Sequence, residues 1–434
     1  MQTTLPSTQN GLRPEPLTVH ELGVNPAIVR DLALKTLFYR GRLTRAQLAD
    51  DMKISVPAVQ EITTALARDG LATVLGAETG NASAYVYTLT QQGILRAEEA
   101  LSRNSYVGPV PVPFEDYVAQ VRKQSIADVP IDGRELRRAL DALVLREDTM
   151  RRIGWAVSSH KPLLIYGESG NGKTTVARTI AHVVGGTIEV PYAIEAVGQI
   201  VRVFDGSKHE RVPEEAPDDE DVLRARSDRR WVHVRRPMIW AGGELTRHSL
   251  ELVYDSDTRL YEAPLQLKAN GGVLIIDDLG RQQIPAVQLL NRWIVALESA
   301  SDHLTLHTGQ TVEVPFDVIL MFSTNLPPED LADEAFLRRI RYKVEIQGPE
   351  QHEFREIFRR ECESRGIAYD DAVVTQLLSR WYADGREMRG CHPRDLVEAI
   401  VDAAHHDGTQ ALLTPATLDD ACRSYFLGGP ATPS

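Results

Sequence analysis

Apolar residues recur with a helical period from Asn25-Pro26 onward, placing Ile28, Leu32, Leu34, Leu37 and Phe38 in a first helix. Thr44 then reads as the N-cap of a short helix, Arg45 to Met52. A turn at Lys53-Ile54-Ser55 leads to a longer helix from Val56 to Asp69, closed by Gly70. Leu71 to Leu75, a turn from Gly76 to Ser83, and the alternating run Tyr85 to Leu89 read as a hairpin, followed by a helix from Gln91 to Leu101. Residues 105–132 contain Gly108, Pro109, Pro111, Pro113 and Pro130 and read as a linker. Residues 133–346 alternate helical segments with short apolar runs, which predicts a mostly parallel sheet covered on both faces. Residues 347–434 are helical in pattern and predict a separate small domain.

Helix, short helix, turn, helix, hairpin, helix over residues 26–104 is the order of a winged helix-turn-helix. The segment Tyr87-Thr88-Leu89-Thr90-Gln91-Gln92-Gly93 resembles the end of the wing in bacterial regulators of the MarR-like type. Residues 1–25, rich in Thr, Pro, Gln and Asn, are expected as a mobile tail.

Composition narrows the classes. With 434 residues, 43% hydrophobic and 25% charged, the chain is neither disordered nor fibrous. The formal net charge of -13 opposes non-specific coating of nucleic acid or of an anionic membrane. Three cysteines (Cys362, Cys391, Cys422) are too few and too scattered for a disulfide framework or a zinc cluster. No apolar run approaches the roughly 20 residues that cross a bilayer, and the N-terminus lacks a signal peptide's apolar core. A soluble, cytoplasmic, multidomain protein is expected.

Gly167-Glu168-Ser169-Gly170-Asn171-Gly172-Lys173-Thr174 matches the phosphate-binding loop, with an apolar strand before it and a helix after it. Glycines let backbone N–H groups wrap an anion at the positive end of a helix dipole. Lys173 would reach the β- and γ-phosphates, Thr174 would offer a hydroxyl to Mg²⁺, and Thr175 would follow at the helix start. Gly271 to Asp278 is an apolar run ending in two carboxylates, which a parallel strand would deliver to the sheet's C-terminal edge. Asp277 would hold Mg²⁺ and Asp278 would orient and polarise the attacking water.

Together these motifs resemble the AAA+ ATPase module of the P-loop NTPases: an α/β fold with a parallel sheet, helices on both faces and a C-terminal helical lid. Val318 to Asn325 is similar to the sensor-1 strand, with Asn325 positioning water. Ala335-Phe336-Leu337-Arg338-Arg339-Ile340 resembles the arginine-finger segment, in which Arg338 or Arg339 reaches a neighbouring subunit's nucleotide. Cys391-His392-Pro393-Arg394-Asp395-Leu396 resembles the start of the sensor-2 helix, with Arg394 touching the γ-phosphate. The resemblance implies ATP and Mg²⁺ as cofactors and a homo-oligomeric ring, expected to be hexameric. Asp278 stands where the family usually has Glu, one methylene longer, in the form found in bacterial replication initiators and helicase loaders. The long spacing between Lys173 and Asp277 reads as an insertion at about residues 193–262, carrying the acidic run Glu214 to Asp221, then Arg224, Arg226 and further arginines. A hairpin about Thr308-Gly309 resembles the MoxR-like and enhancer-binding branches, so the branch stays open.

The expected reading is a ring-forming ATPase that remodels a macromolecular client. The alternative is a DNA-bound regulator or helicase-loader-like protein whose assembly is switched by ATP. The helix from Val56 holds one basic residue, Arg68, against Glu61 and Asp69, and the wing carries only Glu78. Affinity for DNA rests largely on neutralised phosphates. Gln60, Thr63 and Thr64 could still read base edges, so both a protein client and DNA remain as partners.

Overall fold

The computed structural model describes residues 13–77, 85–213, 227–331 and 334–427. Glu78 to Ser83 of the expected wing turn, the acidic run Glu214 to Asp221, Arg224 and Arg226 lie outside the described residues, as do the first twelve residues of the expected tail.

Five parallel strands form the central sheet in the order Met238–Ala241, Gly272–Ile276, Val318–Thr324, Leu163–Tyr166, Tyr342–Glu345. Successive side chains of a strand point to opposite faces, and here both faces are buried. Val273, Ile275, Ile319 and Met321 pack with Leu163, Ile165 and the helices Gly133–Asp141, Glu147–Ser158 and Lys173–Val183. Leu274, Ile276, Leu320 and Phe322 pack on the other face with Leu289, Leu290 and Trp293 of helix Ala286–Ser299. Two cores explain why these strands read as unbroken apolar runs. Four helices, Gln351–Ser364, Asp371–Trp381, Cys391–Asp407 and Pro415–Tyr425, close around their own core of Phe354, Phe358, Leu377, Trp381 and Leu396.

The expected linker is corrected by the structure. Val112–Pro113 is an edge strand, pairing with Ile194 and Glu195, and Phe114–Lys123 is a helix with Tyr117 and Val121 buried. A second five-stranded sheet results, ordered Val253–Asp255, Leu260–Glu262, Gln199–Arg202, Ala193–Ala196, Val112–Pro113. The expected insertion boundaries shift for the same reason. Met238–Ala241 pairs with Val273 to Ile276 and belongs to the central sheet, while Trp231–Arg235 pairs with Thr187–Pro191. Excess chain therefore lies, in sequence, on both sides of an edge strand of the central sheet.

At the N-terminal end, strand Leu43–Thr44 between helices Pro26–Arg40 and Arg45–Met52 joins Tyr85–Leu89 and Ala72–Ala77, which follow helix Val56–Arg68, in a three-stranded antiparallel sheet, and helix Gln91–Arg103 closes the block. Asn25, Thr44, Ser55 and Thr90 accept hydrogen bonds from first-turn N–H groups, which fixes the four helix starts. Residues 13–24, expected in a mobile tail, are built into the fold. Leu22 is fully buried, Arg13 lies over the Trp231 ring, and Asp228 N–H donates to the Arg13 carbonyl. Thr63 cannot read a base edge: it is buried, and its hydroxyl donates to the Val59 carbonyl at 3.0 Å. Arg229 donates to the carbonyls of Ala49 and Ile54, clasping the turn between the second and third helices. Arg230 ties Leu22 and Pro111 together while pairing with buried Asp228. Among the described residues no helix is long and apolar enough to cross a membrane.

Lys35 is 1% exposed inside this block, and its ammonium donates to Asn104 Oδ1 at 2.8 Å. Burial pulls its pKa down from 10.5 to about 8, against the opposing charge of Asp31 and with help from Arg103. The native state thus holds this proton more weakly than the unfolded chain does. Stability should rise with pH between about 8 and 10.5. In Lys35→Met that rise should be missing, a difference of up to about 3 kcal/mol in urea unfolding across the interval. Equal pH slopes in the two proteins would contradict it.

Candidate functional site

Strand Leu163–Tyr166 runs into the glycine loop and then into helix Lys173–Val183. Gly167, Gly170 and Gly172 adopt φ of 135°, 86° and 83°, conformations that L side chains rarely take. A Cβ on Gly170 would lie 2.6 Å from Cys391 Sγ, and one on Gly167 would strike the Ile346 carbonyl. Gly172 is the helix N-cap, so first-turn N–H groups without intrahelical partners face the loop. Lys173 is 6% exposed, and its Nζ donates to the carbonyls of Gly167 and Glu168, each at 2.9 Å. Burial lowers its pKa below the usual lysine value, while Asp278 and Asp277 oppose the shift.

Because the central strands are parallel, those ending at Ile276 and Thr324 finish on the same edge as the glycine loop. Thr174 Oγ1 donates to Asp277 Oδ2 at 3.0 Å, and Ser323 Oγ donates to Asp277 Oδ1. Asn325 bridges the other pair. Its Oδ1 accepts from Lys173 Nζ at 2.7 Å, and its Nδ2 donates to Asp278 Oδ1 at 3.2 Å. Lysine, amide and carboxylate therefore form one line across the loop's mouth.

The helical domain closes one side. Cys391 N–H donates to the Gly170 carbonyl at 2.8 Å, and Gly390 N–H donates to Asn171 Oδ1 at 3.1 Å. A cavity of about 440 Å³ lies between, lined by Ser169 to Val176, Asp278, Asn325, Ile357 and Arg394, among others. Arg394 pairs with Asp395 at 2.8 Å at this wall. At the far end Arg360 reaches from helix Gln351–Ser364 to the carbonyls of Asp141 and Ala142, at 2.9 and 3.0 Å. Glu168 stays exposed, its carboxylate 3.9 Å from Arg389.

Arg338 and Arg339 are not brought to this cavity. Arg338 is largely exposed and pairs with Glu334 at 3.0 Å, while Arg339 pairs with Glu298 at 2.8 Å. Ser323 was missed by sequence reasoning, although a hydroxyl near the end of an apolar strand was a usable signal. Arg360 left none, since the carbonyls it reaches beside the cavity lie more than two hundred residues away. A larger open groove of about 820 Å³, between helix Phe114–Lys123 and the hairpin Ser301–Pro315, holds none of these residues.

A glycine cradle that a Cβ would fill, at a helix N-terminus, suits a polyphosphate. Thr174 and Asp277 offer hard oxygens, which suit Mg²⁺. Among the described residues no group of three or more His, Cys, Asp or Glu is placed to hold a metal on its own.

Residues 350–424 match a family described as a domain of unknown function, DUF8689. No curated protein matches the chain. Among solved structures, the chain is distantly similar to RuvB of Thermotoga maritima, a Holliday junction branch migration motor. That match is 14% identical, covers 64% of this chain and 69% of that one, and has a TM-score of 0.37. NtrX of Brucella abortus in complex with ATP is 16% identical, with 75% of this chain and 62% of that one covered, at a TM-score of 0.39.

Proposed function

We propose that this chain is an AAA+-type ATPase that binds Mg²⁺ and ATP at the glycine loop and couples hydrolysis to remodelling of a client. The observation that carries the reading is the line Lys173–Asn325–Asp278 beside the Thr174–Asp277 pair, all at the mouth of one glycine cradle. Thr174 and Asp277 would hold Mg²⁺, which when bound neutralises charge on the phosphate oxygens. Lys173 exchanges its loop carbonyls for phosphate oxygens. Asp278 accepts the proton of the attacking water, and Asn325 keeps that carboxylate facing the cavity. Arg394 meets the γ-phosphate from the lid, and Arg338 or Arg339 completes the site of a neighbouring subunit in a ring.

The N-terminal block reads as a winged helix that docks a protein client in preference to DNA. Its third helix exposes Gln60, Glu61, Thr64 and Arg68, a face with one cation and one anion. The clasp of Arg229 on its turn, and the core it shares with Ala193 and Ile200, support a block that moves with the body of the protein.

Asp278→Asn tests the reading. The amide preserves shape and removes the base, so ATP should stay bound while turnover falls by about a thousandfold. Hydrolysis at the normal rate would move the activating acid elsewhere. As a trap, the same variant should retain the client.

A further inference from the structure

The residue assigned to activate water stands in an unusual backbone state. Asp278 has φ of 51°, the left-handed region disfavoured for residues with a Cβ. Such a conformation persists where surrounding contacts over-determine it, and the contacts converge on one side chain. Gln282 is half-buried beneath the turn. Its Nε2 donates to the Asp277 carbonyl at 2.7 Å and to the Asp278 carbonyl at 3.2 Å, while its Oε1 accepts from Gly280 N–H at 2.8 Å. A primary amide offers donors and an acceptor together, which neither a carboxylate nor an ammonium does. The turn is also fastened to the neighbouring strand. Leu279 N–H donates to the Ser323 carbonyl at 2.7 Å, and Thr324 Oγ1 donates to the Leu279 carbonyl at 2.8 Å. Gly280, at φ of 103°, leaves room for Leu326, whose Cδ1 would lie 2.9 Å from a Cβ there.

We propose that Gln282 is a positioning residue for hydrolysis: it clamps the left-handed turn that aims the short Asp278 side chain into the nucleotide cavity. The inference rests on the ATPase reading above. A left-handed residue directs its Cβ differently from an extended one. The carboxylate thereby lines the cavity and meets Asn325 with one methylene fewer than Glu would have. Relaxing the turn would swing it away, while Lys173 and the glycine loop keep the contacts they make with each other.

The test uses the full-length protein and begins without nucleotide. In Gln282→Ala, amide exchange at Leu279 and Gly280 should accelerate while the central strands keep their protection. Calorimetry with ATPγS should give an affinity within about threefold of the wild type, whereas kcat should fall about a hundredfold, as expected for a misplaced reacting group. Adding Asp278→Glu should recover about tenfold of that loss, because the longer arm reaches from a relaxed turn. Unchanged exchange, unchanged kcat, a parallel loss of ATPγS affinity, or no recovery in the double variant would each overturn the positioning role. Failure of the wild type to bind ATPγS would overturn the ATPase reading itself, and is seen before any variant is made.

Discussion

Lys173→Ala is expected to abolish ATP binding while leaving the protein folded. The ammonium is nearly enclosed and spans the site, donating to two loop carbonyls and to Asn325. Its removal takes away the one cation within the glycine loop. A hydrogen bond to a charged group is worth about 1.5–3 kcal/mol, and a lysine facing two phosphates makes more than one. Affinity should therefore fall by at least about a hundredfold. Calorimetry with Mg-ATP reads this directly, and far-UV circular dichroism shows whether the fold is kept. Unchanged affinity in the folded variant would end the phosphate-loop reading. The lowered pKa adds a pH test with a definite sign. Burial disfavours the ammonium, so raising pH should strip its proton earlier than from a free lysine and weaken binding as it does so.

The second large effect is expected from Arg338→Ala combined with Arg339→Ala. Neither arginine lines the cavity of its own chain, and their carboxylate partners, Glu334 and Glu298, lie outside it too. ATP binding should survive in the double variant. Turnover should fall on the order of a thousandfold or more, the contribution of an arginine finger supplied in trans. Mixing this variant with Asp278→Asn subunits separates a trans role from a local one. One junction in such a ring joins an intact Asp278 to an intact finger, so activity should partly return. A mixed ring shown to contain both subunits yet inactive at every ratio would place the arginines in cis or in assembly alone.

The local features were legible in the sequence because each depends on neighbours within a few residues. Gly167, Gly170 and Gly172 mark backbone that must turn left-handed, and Thr44 marks a helix start that needs a side-chain acceptor. The place of Asp277, Asp278 and Asn325 at the sheet edge was legible because an apolar strand that stops at a polar residue delivers it there, and parallel strands share that edge.

What the tertiary structure alone decided are pairings across long separations, which leave no local period. Proline-marked residues 105–132 read as a linker. Yet Val112 pairs with Ile194, and Val110 N–H donates to the Met52 carbonyl, making this stretch the seam between the N-terminal block and the second sheet. The region from 193 to 262 read as one insertion because no local signal separates an edge strand of a side sheet from Met238–Ala241, whose place was set by Val273 to Ile276. Thr63 looked free because its hydroxyl passes for a surface group, although it stands four residues after Val59 and three before Leu66 on the buried stripe of its helix. Ser323 and Gln282 are polar residues whose meaning depends on which carboxylate or carbonyl the folded chain brings to them. Sequence determined the chemistry that each loop and strand end could offer; tertiary contact decided which groups meet, since a hydrogen bond needs its partner within about 3 Å.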